Sequence, residues 1–379
     1  MYWTKVIIIN CLIFFALIGI ILISPPIIYD VYKFFKGSDI ISLEDNRSKL
    51  SIYDNYSWAA QHFREVNQLN IKYYDYISWR RDDYSGETIN IKNGLRQTSN
   101  VISENNSKTQ FWFFGGSTIW GTGVSDDFTL PSLFAINSKN YTKNFGESGY
   151  IGRQSLAFLT NYIISNNYSD LNGVAVIFYD GVNDVAQRCR SEMSRIGTSQ
   201  EEAIRKSVNS VGERRFSFED VFRQPMDLLS VLIGRFNEVT KNEIYKDDWH
   251  VCDKNQSRAL EVAETLVNTW HVASETVRNR GGQFWAILQP VSYFGKSEVS
   301  YLDLTSQRDE GLANQYNAVY PLIIELAAKR DINFLDFTTI YNNCSECYID
   351  FNHVGPQGNN IAATKLNSEL EKYYSTIIK

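Results

Sequence analysis

Four stretches of the sequence carry side chains that can act on an acyl group, and each follows a predicted strand. They are Phe111-Trp-Phe-Phe-Gly-Gly-Ser117-Thr-Ile119, Asn144-Phe-Gly-Glu-Ser-Gly149-Tyr-Ile-Gly152, Tyr179-Asp-Gly181-Val-Asn183-Asp184 and Tyr348-Ile-Asp350-Phe-Asn-His353. Taken singly, each has an ordinary structural explanation, because glycines form turns and Asn or Asp caps helix N-termini. Together they contain a hydroxyl, an imidazole, a carboxylate and hydrogen-bond donors, which is the set that acyl transfer needs.

Ser117 is the candidate nucleophile. A protonated serine hydroxyl is a poor nucleophile, so it needs a base nearby that takes its proton. His353 can act as that base, and Asp350, three residues earlier, can hold the Nδ1–H of its imidazole. The chain has four histidines, and only His353 has an aspartate close by in a loop after a predicted strand. The sequence therefore predicts that these three side chains meet.

Acyl transfer also needs donors aimed at the oxyanion that develops on the attacked carbonyl. The backbone N–H groups of Ser117 and Gly149 and the side-chain amide of Asn183 are the expected donors, with the Gly152 N–H as an alternative to that of Gly149. Asp184 is expected to cap the helix that follows it, because carboxylates accept bonds from free helix N–H groups. This chemistry requires no cofactor and no metal ion, and we expect none.

The order of secondary structure explains how distant stretches can meet. From about residue 108 the pattern alternates strand and helix, which predicts a mainly parallel sheet covered on both faces. The predicted strands are Gln110–Phe114, Lys143–Phe145, Val174–Tyr179, Gln283–Leu288 and Ile332–Phe337. The predicted helices are Leu130–Ile136, Gln154–Ile164, Ala259–Val277, Gly311–Ala328 and Pro356–Tyr374, with Pro321 expected to kink or split the fourth. Open sheets of this kind bind ligands at the carboxyl ends of their strands.

The motifs in this order resemble those of the SGNH (GDSL-type) hydrolase family. The matching features are a serine in a glycine turn, then a glycine, then Gly-x-Asn-Asp, then Asp-x-x-His near the C-terminus. The resemblance covers residues 108–379 and implies a three-layer α/β/α sandwich with a flavodoxin-like, mainly parallel five-stranded sheet. It implies the following roles: Ser117 as nucleophile, Gly149 and Asn183 in the oxyanion hole, and Asp350 and His353 as the rest of the triad.

One departure from the family pattern concerns the turn that holds the nucleophile. The usual Gly-Asp-Ser is Gly115-Gly116-Ser117 in this chain, so the aspartate before the serine is missing. That aspartate is not a triad member, so its absence leaves the predicted chemistry intact. What replaces its support of the serine turn does not follow from the sequence.

The N-terminal part of the chain predicts a membrane anchor. Val6–Ile28 holds 23 residues without a charge, and about 20 apolar residues span a bilayer. Because no signal-peptide cleavage site follows, we expect an uncleaved single-pass anchor over residues 1–29. Residues 30–107 then form a lead-in that packs on the main domain, or equally a small subdomain. Within residues 108–379, residues 191–257 form a helical insertion, either a lid over the site or a decoration.

The composition and the cysteine content indicate which partners are excluded and which cellular compartment is favoured. A net charge of −6 argues against a general nucleic-acid binder, which normally carries a basic face. Outside the anchor there are four cysteines, namely Cys189, Cys252, Cys344 and Cys347, which allow three pairings. Disulfides favour an extracytoplasmic location, although free thiols in a reducing compartment fit the same residues. A metal site is the weakest interpretation of these cysteines, because no second Cys-x-x-Cys is present.

The sequence as a whole predicts a membrane-anchored serine esterase. Its expected substrate is an O-acyl ester, with O-acetyl groups on a surface glycan as the candidate suggested by the anchor and the family resemblance. One alternative is an O-acyltransferase, in which a sugar hydroxyl replaces water at the same site. Another is a non-catalytic glycan-binding or assembly protein, since a fold does not determine a function.

Overall fold

The computed structural model describes residues 45–191, 193, 250–302 and 309–377. The predicted anchor at Val6–Ile28 lies outside these ranges, as does most of the predicted insertion at residues 191–257. Within the described ranges, none of the helices combines the length and the hydrophobicity that a membrane span requires.

Eight α-helices and ten strands make up the described chain. The strands are β1 (Ile71–Tyr74), β2 (Ser78–Arg81), β3 (Tyr84–Ser85), β4 (Asn90–Lys92), β5 (Leu95–Arg96), β6 (Gln110–Gly115), β7 (Tyr141–Asn144), β8 (Val174–Asp180), β9 (Gln283–Leu288) and β10 (Asn333–Asp336). The helices are α1 (Ala59–Gln68), α2 (Ser117–Trp120), α3 (Leu130–Ser138), α4 (Gly152–Ser165), α5 (Val182–Arg188), α6 (Gln256–Arg278), α7 (Asp309–Ala328) and α8 (Pro356–Ile377).

Five parallel strands form the centre of the main sheet. Their spatial order is β7-β6-β8-β9-β10, so the first strand of the series, β6, lies between the second and the third. This 2-1-3-4-5 order is the flavodoxin-like arrangement. Its switch point, where the strand order reverses, lies between β6 and β8. Ligands bind at such a switch point, beyond the carboxyl ends of the strands.

The sheet is wider than the five strands that the resemblance implies. Strands β5, β4 and β3 extend it beyond β7 and run antiparallel to their neighbours, which gives eight strands in all. The link to β7 is short, since it pairs only Arg96 with Asn144. The lead-in thus supplies the added strands, together with a separate antiparallel hairpin of β1 and β2.

Alternating side chains of β6 and β8 show that both faces of the sheet are buried. Trp112 and Phe114 point into a cluster with α4, α6 and α7, whereas Phe111 and Phe113 point into a cluster with α3 and α8. All four side chains are at most 2% exposed. Because successive residues of a strand point to opposite faces, this division establishes three layers, helices–sheet–helices.

The predicted strands and helices of this domain are all present, with bounds that differ by a few residues. The helix predicted over Gly311–Ala328 is one continuous element that contains Pro321, so it is not split. In the lead-in, strand β4 begins only at Asn90 and covers Asn90–Lys92. The reason is visible at its start, where the N–H groups of Glu87, Thr88 and Ile89 bond to the Glu65 carboxylate rather than to another strand.

Two disulfides settle which of the three cysteine pairings the fold uses. Cys189 pairs with Cys252, and Cys344 pairs with Cys347 in the loop that leads to Asp350. The first bridge joins the ends of the chain segment over residues 190–251. The second restricts a loop of the candidate site.

We predict that both bridges are present in protein isolated from its native compartment. Mass mapping of non-reduced peptides should give a Cys189–Cys252 cross-linked peptide and an intramolecular Cys344–Cys347 bridge. The reduced and alkylated sample is the control, and both linkages should be lost in it. Four free thiols in the native sample would contradict the prediction.

Candidate active site

Ser117 occupies the first position of a short helix directly after β6. Gly116 precedes it as the N-cap, and Ser117 is 8% exposed. The turn is too tight for a side chain at Gly116, because an added Cβ would lie 2.5 Å from the Asn183 side-chain nitrogen. The serine is therefore fixed at the carboxyl edge of the sheet, with an amide donor beside it.

His353 and Asp350 come from the loop before α8, and they meet Ser117 at this edge. The Nε2 atom of His353 lies 2.6 Å from the Ser117 Oγ, and its Nδ1 atom lies 2.7 Å from the Asp350 Oδ2. A carboxylate only accepts hydrogen bonds, so Nδ1 carries the proton of the neutral ring and Nε2 accepts from the serine hydroxyl. All three predicted side chains thus form one hydrogen-bonded line.

Asp350 is held as an anion by its own loop. Its Oδ1 accepts from the backbone N–H groups of Asn352, at 3.1 Å, and His353, at 2.7 Å. Burial alone would raise the pKa of this carboxyl, but the His353 ring and these N–H groups outweigh burial and lower the pKa below its usual value. The loop therefore delivers an ionised carboxylate to the imidazole.

Asn183, the third predicted donor, lies beside the serine turn, with its side-chain nitrogen next to Gly116. It is the second residue of α5, and its side-chain nitrogen donates to the Tyr150 carbonyl at 2.8 Å. A primary amide has two N–H donors, so one remains for a ligand. Gly149, next to Tyr150 in sequence, has a φ of +76°, which favours glycine. Its carbonyl accepts from the Gln187 side chain at 2.7 Å, which ties its loop to α5.

The structure excludes the alternative donor, Gly152. Its N–H points to the Asp184 carboxylate, at 3.1 Å from Oδ2. Asp184 therefore does more than cap its own helix, because it joins the N-terminus of α4 to α5 and lies 3.8 Å from the Arg188 guanidinium. Both side chains are at most 2% exposed. Burial raises the pKa of Asp184, and Arg188 and the Gly152 N–H oppose that rise.

A buried arginine supports the segment that follows the serine turn. Arg96, at the end of β5, donates to the carbonyls of Trp120, Gly121 and Val124 at 2.6 to 2.9 Å. It also pairs with Asp126 at 2.9 Å. These carbonyls belong to the last residue of α2 and to residues that follow it, so Arg96 fixes the segment immediately after Ser117.

His62 assists on the same side of the turn. Its Nε2 donates to the Thr122 carbonyl at 2.9 Å, and the Thr122 N–H donates to the Ser117 carbonyl at 3.1 Å. Burial and the nearby Arg96 lower the pKa of His62 to about 3, so this ring is neutral. Its role is structural, as expected for a histidine without an aspartate beside it.

The hairpin of β1 and β2 holds the loop that carries Gly149. Arg81 pairs with Glu147 through both its backbone N–H and its guanidinium, and it donates to the Ser148 hydroxyl at 3.0 Å. The Trp79 indole donates to the Ser148 carbonyl at 3.0 Å. The candidate oxyanion donor at Gly149 is therefore positioned by residues of the lead-in.

Three arginines of the lead-in thus reach the site, and the sequence reasoning missed them. Arg96 supports the segment after the serine turn, Arg81 supports the Gly149 loop, and Arg47 lies 3.3 Å from the Asp350 Oδ2. The sole signal for them is the presence of arginines in an otherwise aromatic stretch. The arginines alone do not indicate which site residues they contact, because those residues are distant in the sequence.

Comparison with known proteins gives fold-level matches only. No protein-family model and no curated protein matches the sequence. A carbohydrate acetylesterase from Sinorhizobium meliloti is 12% identical over 70% of this chain and 99% of its own, with a TM-score of 0.39. A G-D-S-L family lipolytic protein from Veillonella parvula is 13% identical over 68% and 95%, with a TM-score of 0.38. An aryl esterase from M. smegmatis is 12% identical over 70% and 99%, with a TM-score of 0.38.

These proteins are esterases or a member of the G-D-S-L family, the group that the four motifs resemble. At such identities, and with TM-scores below 0.5, the matches carry no argument about this chain. The functional conclusion therefore rests on the side chains themselves.

The buried contact between Asp184 and Arg188 generates a stability prediction. Asp184→Ala should lower the free energy of unfolding by about 3–5 kcal/mol, because it leaves a buried guanidinium without its counter-ion. Thermal or denaturant melts measure this change. Asp331→Ala is the matched control, since Asp331 also pairs with an arginine, Arg278, but is 87% exposed. Equal melts for the two variants would show that the buried pair has no special weight.

Proposed function

We propose that the protein is a serine esterase of the SGNH type, which hydrolyses an O-acyl ester. The observation that carries the proposal is the hydrogen-bonded line from Asp350 through His353 to Ser117, with distances of 2.7 and 2.6 Å. The imidazole has the tautomer that a general base needs, and the hydroxyl lies at the edge where parallel sheets bind ligands.

The first half-reaction acylates the serine. As the Ser117 Oγ attacks the ester carbonyl, its proton moves to the His353 Nε2, and the Asp350 carboxylate stabilises the imidazolium that forms. The carbonyl oxygen becomes an oxyanion. Collapse of this tetrahedral intermediate breaks the bond to the alcohol oxygen, which takes the proton back from Nε2 and leaves as the free alcohol.

The oxyanion needs donors that are in place before the reaction. The Ser117 N–H is at the first position of a helix, where no acceptor within the helix exists, and the Asn183 amide has one N–H beyond its bond to Tyr150. With the Gly149 N–H, they form the proposed oxyanion hole. Their supports are rigid, because Tyr150 is buried and the Gly149 loop is held by Arg81.

The second half-reaction restores the enzyme. A water molecule attacks the acyl-serine carbonyl and gives a proton to the His353 Nε2. The Ser117 oxygen then leaves and recovers that proton, and the carboxylic acid is released. Ester and water are thereby converted to acid and alcohol, with no other reactant consumed.

Substrate class and location form the finer part of the proposal. An O-acyl ester such as an O-acetyl group on a surface glycan fits a site outside the cytoplasm. Two features support that placement: the uncharged 23-residue stretch Val6–Ile28, and two disulfides, which persist in oxidising compartments. In this proposal, a single N-terminal span anchors the esterase to the membrane.

Ser117 and His353 should act as a unit. Ser117→Ala and His353→Ala should each lower kcat for a short-chain acyl ester by about 10⁶-fold, because either loss disables the same proton-coupled attack. For the same reason, the double variant should be hardly slower than either single one. The measurement is the rate of acid release by the full chain, with a thermal melt for each variant.

Running that assay with and without a sugar acceptor separates hydrolysis from acyl transfer. Hydrolysis releases acid at the same rate in both arms, whereas a transferase would give acylated sugar at the expense of acid. Unchanged turnover by the Ser117→Ala variant would end the esterase proposal altogether.

Asn183 should affect rate and not binding. Asn183→Ala should lower kcat by about 10²–10³-fold with little change in KM, because its amide stabilises charge only as the tetrahedral intermediate forms. Asn161→Ala is the matched control, since Asn161 also donates to a backbone carbonyl, that of Asp75, but away from the site. A normal kcat for Asn183→Ala would remove Asn183 from the oxyanion hole while leaving the nucleophile in place.

A further inference from the structure

Asp350 has one charged partner from far away in the sequence. The Arg47 guanidinium donates to its Oδ2 at 3.3 Å, and the two residues are 303 positions apart. The same oxygen accepts the His353 Nδ1–H at 2.7 Å. The general base and the arginine therefore share one carboxylate oxygen, which makes the position of that oxygen sensitive to both.

The guanidinium itself is held in place on two further sides. Asp45 accepts from the Arg47 Nη2 at 2.8 Å, from its Nε at 3.1 Å and from its backbone N–H at 3.0 Å. The Phe63 ring of α1 lies 4.9 Å from the guanidinium carbon, at cation–π distance. A planar guanidinium fixed in this way presents its remaining N–H groups in one direction, toward Asp350.

The charges explain what such an arrangement does to proton transfer. When His353 takes the Ser117 proton, the imidazolium lies beside three charges in a row: Asp350, Arg47 and Asp45. The cation of Arg47 opposes imidazolium formation, while the anion of Asp45 offsets that effect. The pair keeps the carboxylate oriented while adding no net charge.

We propose that Arg47 and Asp45 are positioning residues for the catalytic carboxylate, and that their charges act in opposite directions on proton transfer from Ser117 to His353. The inference rests on the proposed esterase function. It makes the lead-in part of the catalytic apparatus, although neither residue touches the reacting atoms.

Two tyrosines near Asp350, Tyr53 and Tyr301, do not titrate in the relevant range. Tyr53 donates to the Gly123 carbonyl and Tyr301 to the Tyr348 carbonyl. Burial raises the pKa of Tyr301 to about 12 and that of Tyr53 further still. Both hydroxyls are therefore neutral between pH 4 and 9 and add no charge beside Asp350 in that range.

The test measures covalent labelling of Ser117 by a fluorophosphonate, together with kcat/KM for an acyl ester, between pH 4 and 9. Labelling forms a bond from the Ser117 Oγ to phosphorus and expels fluoride, while His353 takes the serine proton. It therefore reports on the base without depending on the choice of ester. The full-length variants are Arg47→Met, Arg47→Lys and Asp45→Asn, with Arg278→Met as the control, since Arg278 pairs with an exposed aspartate.

We expect the two charge-removing variants to move the acid limb of the pH profile in opposite directions. Arg47→Met should shift its midpoint to higher pH by about one unit, since imidazolium formation becomes easier, and Asp45→Asn should shift it to lower pH. At high pH, Arg47→Met should label about tenfold more slowly, because the carboxylate is less well oriented. Arg47→Lys should keep the wild-type midpoint, and Arg278→Met should match the wild type throughout.

The outcomes separate this inference from the proposed function. If the wild-type chain is not labelled at Ser117 at any pH, the esterase proposal fails first. If it is labelled, and the Arg47→Met and Asp45→Asn variants keep the wild-type midpoint while they melt normally, the inference about Arg47 is wrong. Shifts of both midpoints in the same direction would also overturn it. A general loosening of the site does not depend on the sign of the charge that is removed, whereas the proposed effect does.

Discussion

The hydrogen bond between the His353 Nε2 and the Ser117 Oγ is the contact on which the proposed function depends. It joins residues 236 positions apart at 2.6 Å. It forms because β6 ends directly before Ser117, and because the loop from β10 to α8 returns to the same edge of the sheet. A displacement of about 1 Å in either element would disrupt the contact between Ser117 and His353, and acyl transfer requires close alignment of its groups.

That alignment is maintained largely by charged side chains of the lead-in. Arg47, Arg81 and Arg96 each contact a different loop of the site, which carry Asp350, Gly149 and the end of α2 respectively. A buried or half-buried guanidinium is costly unless it is paired, and here each is paired with a carboxylate that lies in or beside these loops. The resulting geometry is specific, because a planar fork fits few arrangements of acceptors.

The strands that widen the sheet also help to position the site. Strands β3, β4 and β5 would be a weak structure by themselves, but their attachment to β7 carries Arg96 under the serine turn. The hairpin of β1 and β2 carries Arg81 to the Gly149 loop in the same way. The lead-in thus supports loops at the switch point of the parallel sheet, in addition to the contacts that those loops make with α5.

The sequence by itself determined the parallel strands, the helices between them and the five candidate residues from Ser117 to His353. It could do so because strand periodicity, glycine turns and the chemistry of Ser, His and Asp are local properties that can be recognised in a single stretch. Only the tertiary structure decided that Asp184, and not an oxyanion, takes the Gly152 N–H, and that Arg96 bonds to the carbonyls after the serine turn. It also decided the cysteine pairing and the place of Arg47 beside Asp350. These contacts join residues that are distant in the chain, and the pairing of a buried charge depends on which groups the fold brings within about 4 Å of it.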